Sequence, residues 1–395
     1  MKKQLVVALG LTVLATPAFA SKARLQALGE DTYGSFYVND NRNVFYNAAQ
    51  VNNHKDLVTF EFGDTTANNA TSGVDSTESP RAEGGVFKSM GNLVYGVYLG
   101  SESNTGNGFR AASAVNLAQA SEENNIDLFV AGDAGVKWGA NLTYSKSGKD
   151  EKAGVGDASQ EAIRTRLGVI AGDIEGFANI NITNKAEDSN GDEFKGKLGF
   201  QVGAIYNIND YRAFAEYRDF SGEAKGTQDG DLKASQLQVG AGRTSKLNDK
   251  ATLFTKAQFQ MNKGSNDTAL AGTVGTLDGV SGCSLAGAVA CEEYKAMFVP
   301  VVVGLEYDAA SWLVLRGSVS QTVWGKEEDK DDSRPFHNTT VVNAGATLKF
   351  GELSVDGVIG NSASGAAASG TDTSEGAGNL RTDNLMSRVS MTYRF

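Results

Sequence analysis

Histidine, cysteine and proline are scarce in this chain. Its 395 residues include 2 histidines, 2 cysteines and 4 prolines. Acid–base and nucleophilic catalysis by histidine depends on a histidine set with carboxylate or serine partners, and His54 and His337 each stand alone in the sequence. The phosphate-binding pattern GxxxxGK[ST], the dinucleotide pattern GxGxxG and the zinc pattern HExxH are also missing. We therefore predict a protein that is not an enzyme and has no cofactor and no metal site.

A long hydrophobic run is missing from most of the chain. No stretch of about 18 apolar residues, the length of a membrane helix, follows Ser21. Before it, two lysines precede a short apolar stretch, and residues 18–20 form a small-x-small cleavage pattern. We predict a signal peptide over 1–20, cut after Ala20, and therefore an exported protein. The alternative is an uncleaved membrane anchor, but the apolar stretch is shorter than a spanning helix needs.

Positive charge is in the minority, because the chain carries a net charge of −11. This argues against a nucleic-acid partner, which requires clustered positive charge. The acidic residues concentrate in polar stretches such as KAEDSNGDE (185–193) and KEEDKDDSR (326–334). Solvated surface charge explains these stretches. The alternative is bridging of anionic lipopolysaccharide by divalent cations, for which carboxylates are suitable ligands.

What the chain does contain is alternation. Apolar and polar residues alternate with a period of two, which is typical of strands with two different environments. The pattern predicts about sixteen strands. They lie at about 57–63, 84–90, 93–101, 125–132, 134–146, 161–172, 175–183, 194–207, 210–221, 231–246, 250–262, 293–308, 311–324, 338–350, 352–360 and 384–395.

The connections between these strands alternate in length. Short turns such as 91–92 and 209–210 take every second position, and long polar stretches such as 102–124 and 263–292 lie between them. This alternation is typical of outer-membrane barrels, with turns in the periplasm and loops outside. The predicted fold is all-β: a closed antiparallel transmembrane β-barrel of about 16 strands, in a range of about 14 to 18, with short periplasmic turns and long extracellular loops.

The chain then divides into three parts: the signal peptide (1–20), an N-terminal extension (21–56) and the barrel (57–395). The extension contains NVFYNAAQV (43–51), which is apolar enough to favour burial in or beneath the lumen as a plug. A periplasmic tail or an extra strand are the alternatives.

The two cysteines, Cys283 and Cys291, both lie in the longest predicted loop. Two cysteines in one loop of an exported protein predict a disulfide bridge, and two free thiols are the alternative. With no histidine nearby, the pair does not indicate a metal site.

The more polar row of each strand is predicted to line the interior. About sixteen strands leave an aqueous channel, whereas about eight are filled by side chains. A mostly basic wall would mildly favour anions; the alternative is that these charges pair with one another or with loop carboxylates. Pro300 falls inside a predicted strand, where its missing N–H predicts a bulge or kink. The predicted pore-lining residues are Arg164, Arg166, Lys197, Arg212, Glu216, Arg218, Lys256, Arg316, Lys349 and Arg388.

The chain ends on an alternating strand, RVSMTYRF. Val389, Met391, Tyr393 and Phe395 form one apolar row, which we predict to face lipid. Terminal aromatic strands of this kind resemble the signal by which outer-membrane barrels are recognised by their assembly machinery. That resemblance implies that Tyr393 and Phe395 are the assembly signal and that the barrel assembly machinery is a partner.

The N-terminal extension carries a family resemblance. RLQALG (24–29) and NDNRNVFYNAAQV (39–51) are similar to the opening of barrels of the long-chain fatty acid transporter type, with Ala48 where that family has proline. The chain as a whole looks like the major porin of predatory deltaproteobacteria, which shares this kind of opening and a terminal phenylalanine.

The porin resemblance implies a water-filled channel in the bacterial outer membrane for passive diffusion of small hydrophilic solutes and ions. Membrane lipid and lipopolysaccharide would surround it, and a homotrimer is common among sixteen-stranded porins. The alternatives are a channel for hydrophobic solutes, like the fatty acid transporters, and a structural outer-membrane barrel.

Overall fold

The computed structural model describes residues 21–63, 82–101, 124–149, 158–226, 229–266, 293–329, 333–335, 340–362 and 388–395. Helix α1 (Lys22–Ala27) and two 3-10 helices (Asn41–Phe45 and Ala48–Asn53) come first. The strands are β1 (Leu57–Phe62), β2 (Ala82–Met90), β3 (Leu93–Leu99), β4 (Ile126–Asp133), β5 (Lys137–Lys149), β6 (Ala158–Ala171), β7 (Ile174–Asp188), β8 (Glu193–Gly196), β9 (Gly199–Ile208), β10 (Tyr211–Lys225), β11 (Gly230–Lys246), β12 (Ala251–Asn266), β13 (Tyr294–Ala310), β14 (Leu313–Asp329), β15 (Ser333–Pro335), β16 (Thr340–Phe350), β17 (Leu353–Ser362) and β18 (Val389–Arg394).

The strands form one closed antiparallel barrel. Each pairs with the next along the chain, and β1 pairs with both β18 and β2, which joins the last strand to the first. Segments β8 and β9 both pair with β7 and β10, and β15 and β16 both pair with β14. Each of these two pairs of segments is therefore one interrupted strand, and the barrel has the predicted sixteen strands.

The two rows of each strand have opposite environments. In β18, Ser390 and Thr392 are buried, whereas Met391, Tyr393 and the adjoining Phe395 are exposed on the outside. Most of the exposed large apolar side chains lie on such outward rows. Examples are Val97, Leu128, Leu142, Leu167, Val202, Tyr217, Val239, Val303, Leu315 and Val319.

Several irregularities interrupt the pairing, and two of them bear on the predictions from the sequence. The register between β13 and β14 shifts between Val299 and Pro300, as predicted, because proline cannot donate a ladder hydrogen bond. The single strand predicted over 194–207 is instead divided between β8 and β9, and glycines 196 and 199 flank the break. Glycine weakens a strand interior because it has no side chain to pack.

Residues 21–56, called here the N-terminal segment, lie inside the barrel. Helix α1 is buried along its whole length and packs against β14, β16, β17 and β18. The second 3-10 helix packs against β3, β4, β5 and β6. The segment therefore crosses the interior from one wall to the other. No helix in the described part of the chain is long and apolar enough to cross a membrane.

Candidate functional site in the barrel interior

The first contact between the N-terminal segment and the wall is a buried charge cluster at β1 to β3. The Nζ of Lys22 and an Nη of Arg42 lie 2.7 and 2.8 Å from the same carboxylate oxygen of Glu83. Arg42 also donates to the Tyr98 hydroxyl at 2.8 Å. The backbone N–H of Lys22 donates to both oxygens of Glu61, at 3.1 and 3.0 Å. Wall carboxylates thus hold two cations of the segment.

A second charge cluster lies on β13, β14 and β17, on the other side of the β1–β18 closure. Arg24 donates to Glu306 on β13 at 3.1 Å and to Asp40 of its own segment at 3.2 Å. Glu306 also accepts from Arg316, which pairs with Asp356 on β17 at 3.1 Å. Arg24, Asp40, Arg316 and Asp356 are all buried. Removing one member of such a cluster leaves an uncompensated buried charge, at a cost of about 3–5 kcal/mol.

Two glycines on the inner wall make room for the second 3-10 helix. Gly139 of β5 and Gly168 of β6 lie directly opposite each other in the register. A Cβ on Gly168 would lie 2.8 Å from the backbone nitrogen of Ala49, and one on Gly139 would lie 2.6 Å from the same nitrogen. We call Gly139 and Gly168 the glycine seat. Beside it, the Gln50 amide donates to Glu175 at 2.5 Å. The backbone of the segment approaches the wall this closely only because both positions lack a side chain.

Aromatic packing fixes the middle of the segment. Phe36 stacks on Phe214 with ring centroids 4.5 Å apart and on Phe177 at 5.9 Å. Tyr46 stacks on Phe36 at 4.7 Å. Such pairs stabilise by about 0.5–1.5 kcal/mol beyond their buried area. A second apolar cluster joins Phe45 and Val51 to the inward rows of β2 to β4.

The structure places nine of the ten predicted pore-lining residues on inward rows. Their charges are largely matched, since Arg166 pairs with Asp127 at 2.7 Å and Lys256 with Glu30 at 2.7 Å. Further pairs join Arg212 to Glu175, Arg218 to Glu216, Arg316 to Glu306 and Asp356, and Lys349 to Asp308. Arg164 and Arg388 are buried on the same face. The inner wall is therefore charged but not mostly basic, which corrects the expectation from the sequence.

The predicted position of Lys197 was also wrong. Alternation predicts it in the interior, but it lies in the break between β8 and β9, 2.8 Å from Asp231. Asp231 precedes Leu232, whose side chain is buried on the inner face, so both charged groups lie outside. The break shifts the phase of the alternation: Phe194 faces inward before it and Gly199 after it.

Several inward carboxylates were not predicted. Alternation around each of them could have identified them, because each occupies the same row as the buried residues of its strand. In the sequence they are isolated acidic residues within β-rich stretches. These carboxylates are Glu61, Glu83, Asp127, Glu175, Glu306 and Asp356.

Some predicted features lie outside the described residues, namely Cys283, Cys291 and His337. The disulfide stays a prediction. Within the described ranges, no group of three or more His, Cys, Asp or Glu side chains is arranged to hold a metal ion.

Two titratable groups of the N-terminal segment have displaced pKa values. Burial lowers the pKa of His54 to about 3, and the positive charges of Arg394 and Arg24 act in the same direction. Neither ring nitrogen of His54 has a hydrogen-bond partner among the described residues. Burial raises the pKa of Asp40 to about 7, although Arg24 and the backbone N–H of Arg42 oppose this shift.

These shifts predict opposing effects of pH on docking of the segment. Because His54 resists protonation when the segment is docked in the barrel, the docked state loses stability as pH falls below about 6.5. Because Asp40 takes up a proton when the segment is docked, the docked state gains stability as pH falls from about 7 to 4. We expect the wild type to change little between about pH 4 and 6.5. His54→Gln should dock more firmly on acidification and Asp40→Asn less firmly, by up to about tenfold per pH unit.

Protection of residues 21–56 from chymotrypsin in the folded barrel, measured for the three proteins over this pH range, checks the prediction. Asn at position 40 can still accept the capping hydrogen bond from the Arg42 N–H. Superimposable pH profiles for the three proteins would contradict it.

No protein-family model matches the chain, and no curated protein matches it. Solved structures that resemble it include the outer membrane channel DcaP of Acinetobacter baumannii, at 11% identity and TM-score 0.37, covering 86% of this chain and 95% of that one. The Ralstonia pickettii toluene transporter TbuX is 15% identical with TM-score 0.32, covering 90% and 93%. The CymD monoaromatic hydrocarbon channel is 10% identical with TM-score 0.37, covering 96% and 98%.

Proposed function

We propose that this protein is an outer-membrane channel for small hydrophilic solutes, and that the N-terminal segment closes it. The observation that carries the proposal is the division between the two faces of one closed sixteen-stranded barrel. Outward rows expose apolar side chains, and inward rows carry Asn, Gln, Ser, Thr and ion pairs. A closed sheet has no unpaired edge, which is what hydrocarbon requires of a spanning structure.

The interior supports a channel for hydrophilic solutes because its wall offers a group of amides on two neighbouring strands. On β11 and β12, Gln236 donates to Asn262 at 3.0 Å and Gln238 to Gln236 at 2.7 Å. Gln258 lies 3.3 Å from the Tyr37 hydroxyl of the segment. Amides both donate and accept hydrogen bonds, so such a wall suits water and neutral polar solutes.

The position of the segment supports a closed resting state. It contacts the wall at β1 to β3, at β5 to β7 and at β13 to β17 through the ion pairs and the glycine seat described above. A pore that conducts would therefore need the segment to shift or leave.

Planar-bilayer recording of the full chain tests the proposal. We expect discrete ionic steps whose frequency rises when the segment is released, and a progressive block by neutral sugars of increasing size. Absence of conductance, both in the wild type and after release of the segment, would exclude a hydrophilic channel. A salt gradient in the same experiment measures ion selectivity, and the matched charges of the wall lead us to expect a weak preference at most.

A channel for hydrophobic solutes is the second candidate. The observation in its favour is the interior aromatic cluster of Phe36, Tyr46, Phe177 and Phe214, which could receive an apolar molecule if the segment moved. Uptake of a fluorescent fatty acid into proteoliposomes, with no ionic steps, would favour it. A structural barrel would show neither activity.

The terminal aromatic residue gives a prediction about assembly. Phe395 lies on the outer surface beside Lys88, whose ammonium is 4.6 Å from the ring centroid. If the terminal strand is the recognition signal, Phe395→Ala should lower the amount of folded barrel in the outer membrane several-fold. Phe350→Ala is the control, since Phe350 is an equally exposed aromatic residue at a turn on the same end of the barrel. Heat-modifiable migration on gels measures the folded fraction; equal losses in both variants would contradict the prediction.

A further inference from the structure

A polar groove lies on the outer surface of the barrel, at the end away from the termini. It has a volume of about 670 Å³ and runs across β10 to β14. Neighbouring residues show that it faces outward, because Leu232, Ala234 and Ala296 on the same strands are buried inside. We call it the lysine groove. Its lining includes Lys233, Lys263, Lys295, Ser221, Ser235 and Ser265.

The lysine groove begins where the apolar outer band ends. Lys263 and Lys295 are directly opposite each other on β12 and β13, and the preceding outward pair is Met261 and Met297. Two residues along a strand are about 7 Å. The two ammonium groups therefore lie at the level of lipid head groups if the termini are periplasmic, as in outer-membrane barrels.

Three lysines and three carboxylates line the groove, but the lysines are incompletely paired. Like charges directly opposite each other in a sheet are destabilising. Lys295 pairs with Glu328 at 3.2 Å, but Glu328 is shared with Lys326 at 2.6 Å. Lys233 and Lys263 form no ion pair with any residue in the described ranges. The other carboxylates of the groove are Glu293 and Asp219, and Asp219 already accepts from the Tyr217 hydroxyl at 3.0 Å.

We infer that the lysine groove binds the phosphorylated head group of lipid A, the membrane anchor of lipopolysaccharide. A phosphate between Lys263 and Lys295 removes their repulsion, since phosphate accepts charge-assisted hydrogen bonds from both. Lys233 and the three serine hydroxyls supply further donors. The acyl chains lie along the apolar band below, beside Met261 and Met297. This inference rests on the outer-membrane location proposed above.

Native mass spectrometry of the full chain, purified in mild detergent from outer membranes that contain lipopolysaccharide, tests the inference. The wild type should retain a mass equal to lipid A or lipopolysaccharide. Lys263→Gln combined with Lys295→Gln should lower the retained fraction by about tenfold or more, because both charge-assisted hydrogen bonds to the phosphate are lost. Lys195→Gln should retain the lipid, because Lys195 lies on the outer surface outside the groove and pairs with Glu193 at 2.7 Å.

The possible outcomes separate the sources of the phosphate. Equal retention by wild type and double variant overturns the inference, as does a wild type that carries only phosphatidylglycerol or inorganic phosphate. Heat-modifiable migration shows whether each variant is folded. A wild type that never reaches the outer membrane contradicts the proposed function, whereas a barrel in the outer membrane without lipid A contradicts the groove alone.

Discussion

Replacing Gly168 with valine is expected to open the channel. A side chain at this position meets the backbone of residues 47–49, because the ideal Cβ would lie 2.8 and 2.9 Å from the nitrogens of Ala49 and Ala48. Overpacking of this kind costs about 1–3 kcal/mol, and each 1.4 kcal/mol raises the undocked population about tenfold. Because interstrand hydrogen bonds hold the barrel wall, we expect the N-terminal segment to be displaced before the wall is distorted. Planar-bilayer conductance measures the result.

Gly139→Val should act in the same direction, since it faces the same stretch of backbone from the neighbouring strand. Gly148→Val is the matched control: it lies on β5 as well, and its nearest neighbour for a Cβ is the Ala158 carbonyl oxygen at 3.9 Å. Unchanged conductance in both Gly168→Val and Gly139→Val, with folded barrels, would show that the segment does not limit flow through the lumen.

Replacing Arg42 with methionine is expected to release the segment from the wall near β2. The guanidinium is 2% exposed, pairs with Glu83 at 2.8 Å and lies 4.3 Å above the Phe45 ring. Methionine keeps much of the apolar stem but leaves Glu83 with Lys22 as its cationic partner. Loss of one member of a buried pair costs about 3–5 kcal/mol. Chymotrypsin should then cleave within residues 21–56 of the folded barrel, at sites protected in the wild type.

A second substitution provides the internal check. In Arg42→Met the two carboxylates Glu61 and Glu83 are left with Lys22 as the cation they share. Adding Glu83→Gln removes this excess negative charge while keeping a hydrogen-bond acceptor for Lys22, so protection should return in part. Arg243→Met is the surface control, because Arg243 and Asp210 are 4.0 Å apart and both are exposed, and such pairs contribute about 0–1 kcal/mol. A protected segment in Arg42→Met would mean that packing alone holds it in place.

Much of the barrel could be predicted because its determinants are local. Alternation in RVSMTYRF already assigns Met391 and Tyr393 to one face and Ser390 and Thr392 to the other, and β18 has this arrangement. The bulge at Pro300 could also be predicted from the local sequence, because proline has no N–H to donate to the neighbouring strand. The errors fall where local alternation is interrupted: at the glycine-flanked break after β8, the phase changes by one residue, and Lys197 moves from the predicted interior to the outer surface.

The interior was less predictable, since its ion pairs join residues far apart in the chain. Arg24 meets Glu306, and Arg42 meets Glu83. Nothing in the sequence around Gly139 and Gly168 distinguishes them from ordinary strand glycines; their role depends on the approach of residues 47–49 from across the lumen. The apolar character of NVFYNAAQV favours burial, but it does not specify against which strands.

The sequence by itself determined the sixteen strands, their inward and outward rows and the antiparallel order. These features depend on a period of two and on the lengths of turns and loops, which are local properties of the sequence. Only the tertiary structure decided how the lumen is occupied and how its charges are balanced. Those features depend on the closure of β1 on β18, which brings side chains from every part of the barrel round one enclosed space.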